Sequence, residues 1–154
     1  MGAAYFYHLT RSPVEDTLPM LLDKARGAGW RIAVQGTDLE RLKFMDEKLW
    51  LGPEDGFVPH GLAGGDHDAD QPILLTQEAN WPNDPQCLMT LDGADVAPEV
   101  VKRLDRVCII FDGANGEAVQ HARGQWKSLT AAGCAAQYWS QESGRWEKKA
   151  AAGG

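Results

Sequence analysis

Val107–Phe111 (VCIIF) is an unbroken apolar run held between Arg106 and Asp112. A strand with one wet face alternates apolar and polar residues. A continuous run belongs to a strand covered on both sides, the usual state of a parallel strand. This requirement constrains the whole chain. Parallel neighbours need crossover connections, and those crossovers must supply helices to both faces.

The remaining sequence meets that demand. Ala3–Leu9 (AAYFYHL) reads as a first strand. Ser12-Pro13, with Glu15 and Asp16 behind, opens a helix that Pro19 is expected to restart or kink and that Gly27 to Gly29 end. Trp30–Val34 is a short strand. Leu39, Leu42, Met45 and Leu49 recur at helical spacing and run into Trp50. Residues 51–70 show no periodicity and carry glycine and proline throughout, so they form a long loop or a binding surface. Pro72–Leu75 and Cys87–Leu91 are strands, and Pro98–Leu104 is a short helix. A helix opens at Asn115 or Gly116, lasts to Ala132 and closes at Gly133, and Cys134–Trp139 is the last strand. The alternation specifies a three-layer α/β/α arrangement, Rossmann-like, with a mostly parallel sheet. One domain is expected over residues 1–146, with a loose tail over 147–154.

The net charge is −7, but it is uneven. Residues 1–100 hold 7 Lys/Arg against 17 Asp/Glu, while residues 101–154 hold 8 against 5. An acidic body disfavours broad nucleic-acid binding, and a basic last third can select one acidic partner. The N-terminus has no basic region or cleavage-site pattern, and no apolar run is long enough for a membrane span, so a cytoplasmic protein is expected. Cys87, Cys108 and Cys134 are odd in number, far apart and flanked by apolar residues, and they read as buried reduced thiols.

Motifs for chemistry are weak. The turn after the first strand contains no glycine. Gly113-Ala114-Asn115-Gly116 follows the strongest strand, but it lacks both the G-x-G-x-x-G spacing and a following lysine, so the sheet carries no nucleotide-binding fingerprint. A small nucleotide-binding enzyme using Gly113–Gly116 is the first rival reading. A nucleic-acid binder using the basic last third is the second, and net charge opposes it. His60 and His67, with Asp66, Asp68 and Asp70, resemble metal ligands in type but not in spacing. Neither His8 nor His121 has the nearby pattern of a catalytic triad.

Two stretches are more specific. Met45-Asp46-Glu47-Lys48-Leu49-Trp50 is followed by Pro53 and by Phe57-Val58-Pro59-His60-x-Leu62-Ala63-Gly64, then by Pro72-Ile73-Leu74-Leu75. In the last helix stands Ala122-Arg123-x-x-Trp126-Lys127. Across Tyr5 to about Trp146 this pattern resembles the chi subunit of the bacterial DNA polymerase III clamp-loader complex. The resemblance implies a Rossmann-like fold that binds no nucleotide, and an adaptor with no catalytic residues or cofactor of its own. Members of the family pair with the psi subunit. They bind the acidic, phenylalanine-ended C-terminal tail of single-stranded DNA-binding protein, and some pair with a helicase through the psi-binding surface.

On a helix wheel Val119, Arg123, Trp126 and Thr130 fall within about 60°, while Ala118, Ala122, Leu129 and Ala132 form a neighbouring stripe suited to the sheet. Arg123 and Trp126 are therefore expected to face outward together, the guanidinium for a carboxylate and the indole for a phenyl ring. Trp126 as ordinary core is the alternative. The candidate tail site is Arg123, Trp126, Val119, Lys127 and Phe111. Where the family carries a lysine one turn before the arginine, this chain has Val119, and Lys127, Arg103 and Arg145 are candidates to supply the missing charge. Phe57, Trp50 and Pro59 are the candidate surface for psi or a helicase. Trp50 and Phe57 also read as core anchors if buried.

Overall fold

The computed structural model describes residues 2–10, 14–50, 60–64, 68–78, 81–91, 93–141 and 146–152, with the backbone alone at 15 and 50. Its strands are β1 (Ala3–Leu9), β2 (Ile32–Gln35), β3 (Gly61–Leu62), β4 (Ile73–Thr76), β5 (Cys87–Thr90), β6 (Arg106–Asp112), β7 (Ala135–Ser140) and β8 (Glu147–Ala152). Its helices are α1 (Val14–Gly27), α2 (Leu39–Trp50), α3 (Pro98–Arg103) and α4 (Gly116–Ala131). One sheet holds all eight strands in the order β3-β4-β2-β5-β6-β1-β7-β8. Every pairing is parallel except β7 with β8.

The VCIIF run explains the layering. Along β6 the side chains alternate between two separate cores. Cys108 and Ile110 join Leu18, Leu22, Leu42 and Met45 beneath α1 and α2. Val107, Ile109 and Phe111 join Val101, Ala122 and Leu129 beneath α3 and α4. Both covers are present, and the fold is three-layer α/β/α.

Three expectations change. α1 runs uninterrupted through Pro19. The proline removes one intrahelical N–H, but its ring lies on the exposed side. The aperiodic stretch contains β3, whose two residues pair with Leu74 and Leu75. A strand that short leaves no period to read. The tail expected to be loose from residue 147 forms β8 instead, antiparallel to β7. Without β8 the outer N–H and C=O groups of β7 would be an open edge. Lys148 and Lys149 now mark that rim, as charged residues commonly do on edge strands.

All three cysteines are buried thiols. Among the described residues no helix is long and apolar enough to cross a membrane.

Candidate functional site

Helix α4 positions the residues of the last motif. Its N-terminus is fixed by Asn115, whose side chain accepts from the main-chain N–H groups of Glu117 and Ala118 at 3.0 and 3.2 Å. From that start Ala122, Gln125 and Leu129 fall on the sheet and are buried. The flank toward β7 carries Val119, Arg123 and Trp126. Arg123 and Lys127, one turn apart, are exposed. Among the described residues Arg123 makes no hydrogen bond or ion pair. The only acidic residue of α4 is Glu117, in the first turn.

Trp126 is not simply outward. It is half-buried, packed edge-on against Phe6 at 5.3 Å and against Tyr138 at 6.0 Å between ring centroids. The wheel gives the correct flank, but α4 lies low enough over β1 and β7 for this large ring to reach Phe6 and Tyr138. Trp126 is therefore both part of the second core and part of its surface. Val119 is half-buried against the same core, and Phe111 is buried beneath it. Arg123 and Lys127 are thus exposed on α4, while Val119, Trp126 and Phe111 belong to or pack on the second core.

Of the other cations considered, Arg103 stacks on Trp81 at 5.7 Å instead, and Arg145 lies outside the described residues. Lys127 is the one at hand.

The sequence did not single out Tyr138 or His8 for this site. Tyr138 lies within 6.0–6.3 Å of Phe6, Phe111 and Trp126, and its hydroxyl is 2.7 Å from His8 Nδ1. No local pattern reveals this. The parallel register of β1 with β7 sets Phe6 opposite Tyr138.

The second candidate surface is partly in view. Phe57 and Pro59 lie outside the described residues, as does the Trp50 side chain. α2 ends at Trp50, and the buried ring of His60 donates from Nε2 to the main-chain oxygen of Asp46 at 3.2 Å. Asp46 and His60 belong to the two halves of the motif, and this contact joins them. Asp68, a metal-ligand candidate like His60, accepts from the Gly64 N–H at 2.9 Å. His67 and Asp66 lie outside the described residues, and among the described ones no His, Cys, Asp and Glu cluster suits a metal.

The Gly113–Gly116 turn is filled by its own chain. In open α/β sheets a ligand enters where successive crossovers leave toward opposite faces. Here that point lies between the carboxyl ends of β1 and β6, since α1 and α4 lie over opposite cores. The Gly113 N–H is bonded to the Leu9 oxygen at 2.7 Å. A Cβ at Gly113 would clash with the His8 ring and the Leu9 oxygen, so the turn packs directly against the end of β1. The Ala114 N–H is held by Asp112 Oδ1 and the Asn115 N–H by the Asp112 main-chain oxygen, while Asn115 Oδ1 takes the Glu117 and Ala118 N–H groups. Most of the donors that would cradle a phosphate are thus bonded within the chain, beside the Asp112 carboxylate.

The profile of the family described as DNA polymerase III chi subunit, HolC, matches residues 1–137. A "Probable DNA polymerase III subunit chi" of Rickettsia prowazekii (strain Madrid E) is 26% identical over 111 residues, which cover 69% of this chain and 67% of that protein.

Proposed function

Because the chain belongs to the DNA polymerase III chi subunit family, a family of replication accessory subunits, we propose that it is a cytoplasmic, non-catalytic adaptor. One surface docks the psi subunit or a helicase, and another captures the acidic C-terminal tail of single-stranded DNA-binding protein. The observation that carries the tail reading is the pairing on α4 of an exposed arginine, without a partner among the described residues, with a half-buried tryptophan. A peptide end needs both a cation for its carboxylate and an apolar neighbour for its last side chain. A guanidinium serves well because its planar fork holds a carboxylate through two parallel hydrogen bonds.

The two surfaces are separable. Trp50 and His60 flank the β3–β4 edge, while Arg123 and Trp126 lie toward β7. Five strand spacings separate β4 from β7, about 24 Å at 4.8 Å per strand. An adaptor needs this separation, since both partners must be held at once.

Gel filtration of the full chain with single-stranded DNA-binding protein tests the reading. Co-elution is expected with the intact tail and absent once the tail is removed. Separate elution from the intact protein contradicts tail capture. Co-elution with both forms moves the contact off the tail.

A further inference from the structure

We propose that β8 is a docking edge for an extended acidic segment of another protein, which adds to the eight-stranded sheet as a further strand. β8 lies outside residues 1–137, the stretch that the family profile matches, so it is no part of that pattern. It stands at the end of the strand order, and among the described residues β7 is its only neighbouring strand. Lys148, Lys149, Ala150 and Ala151 are all exposed. In a strand paired on one side only, alternate N–H and C=O groups point away from the neighbour and form an open rim. The alanines keep both sides of this rim low, which leaves room for the side chains of an incoming strand.

Charge and shape decide what this edge admits. Its register shifts between Tyr138 and Trp139: Tyr138 lies opposite Ala150, Trp139 lies opposite Lys148, and Lys149 is the extra residue of a bulge. Both lysines therefore stand at one end of the regular ladder, beside Ala150–Ala152. Glu147 answers Lys149 at 3.4 Å. Lys148 has no ion pair among the described residues, so one positive charge on the rim is uncompensated. A second copy of the chain would bring two more lysines into the same short ladder, and like charges close together on paired strands oppose that pairing. An acidic strand instead sets a carboxylate against Lys148 and takes the outward main-chain groups as its partners, the β-augmentation mode of peptide recognition. The last third of the chain, with 8 Lys/Arg against 5 Asp/Glu, favours the same sign of partner at longer range. This edge needs neither a terminal carboxylate nor an aromatic end, and it stands whether or not α4 captures a tail.

The test is a titration of the full chain with three fluorescent peptides, all blocked at both ends. One alternates glutamate and valine, one alternates lysine and valine, and the third is the glutamate peptide with its main-chain N–H groups methylated. The glutamate peptide should bind and the other two should not. Lys148→Glu, shown folded by circular dichroism, should weaken the glutamate peptide by roughly 2- to 10-fold, the range of a surface ion pair lost and reversed, and should improve the lysine peptide. Amide hydrogen exchange in the complex should slow at residues 147–152. Equal affinity for the methylated peptide would reduce the contact to plain charge attraction and overturn the proposal. So would an unchanged preference in Lys148→Glu, slowed exchange at β3 rather than β8, or no binding of the glutamate peptide at millimolar concentration. Sedimentation of the free protein as a dimer whose β8 amides are already protected would make a second copy the occupant and likewise overturn it.

Discussion

His60 Nε2 lies 3.2 Å from the main-chain oxygen of Asp46 and equally close to its Oδ1. The ring is buried while the carboxylate keeps some exposure. The contact joins α2 to the residue that follows the 51–59 segment in sequence.

His60→Ala should cost about 1–3 kcal/mol of stability, the penalty for removing one partner of a buried hydrogen bond. It should also weaken psi or helicase capture while leaving tail-peptide affinity intact, because α4 packs over β6 and β7, away from the β3–β4 edge that α2 covers. Urea unfolding and the two binding assays check this. Unaltered stability would show that the contact does not anchor the segment.

Phe57→Ala should weaken psi or helicase capture by about 2 kcal/mol or more if the side chain is a binding hot spot. The tail interaction should persist. An unfolded Phe57→Ala protein would identify the residue as core and remove it from the docking surface.

Much of the fold was legible because the strands are apolar and bounded. β1 stands on the aromatic run Ala3–Leu9 that marks it, and α2 and β6 follow directly from a 3.6-residue stripe and an unbroken run. β3 and β8 were not legible. Gly61–Leu62 is too short to show a period, and Glu147–Ala152 reads as a tail because its pairing depends on the exposed edge of β7. The same division holds at the site. Arg123 and the flank of Trp126 follow from helix geometry. The depth of Trp126, and the part Tyr138 and His8 play beside it, depend on long-range register. Asp46 and His60 were visible as motif letters, but their contact was not.

Alkaline stability should report two buried acids. Burial, with the neighbouring Cys108, pushes the Tyr7 hydroxyl well above its ordinary range. The Cys87 thiol is raised by its hydrogen bond with Cys108 and by burial. Both groups hold their protons more tightly folded than unfolded, so their contribution is complete below the unfolded values and is lost as pH rises through the folded ones. Urea midpoints should therefore fall from about pH 8.5 upward, the ordinary thiol value. Cys87→Ala should flatten the onset. A midpoint constant to pH 10 would show that neither proton matters to the fold.

Nucleotides should find no site at Gly113–Gly116, since the Gly113 N–H is bonded to the Leu9 oxygen and the Ala114 and Asn115 N–H groups to oxygens of Asp112. Calorimetry with ATP, NAD and FMN at millimolar concentration should give no saturable heat. One tight ligand would favour the nucleotide-binding enzyme over the adaptor.

The central claim is that α4 captures a carboxylate-ended acidic tail through Arg123. It is tested most directly by titrating a fluorescent tail peptide of single-stranded DNA-binding protein into the wild type and into Arg123→Ala, with circular dichroism showing both folded. A charged hydrogen-bonded contact contributes about 1.5–3 kcal/mol, so the mutant should bind roughly 10- to 100-fold more weakly. Equal affinity in the folded mutant, or no binding by the wild type, would contradict the account.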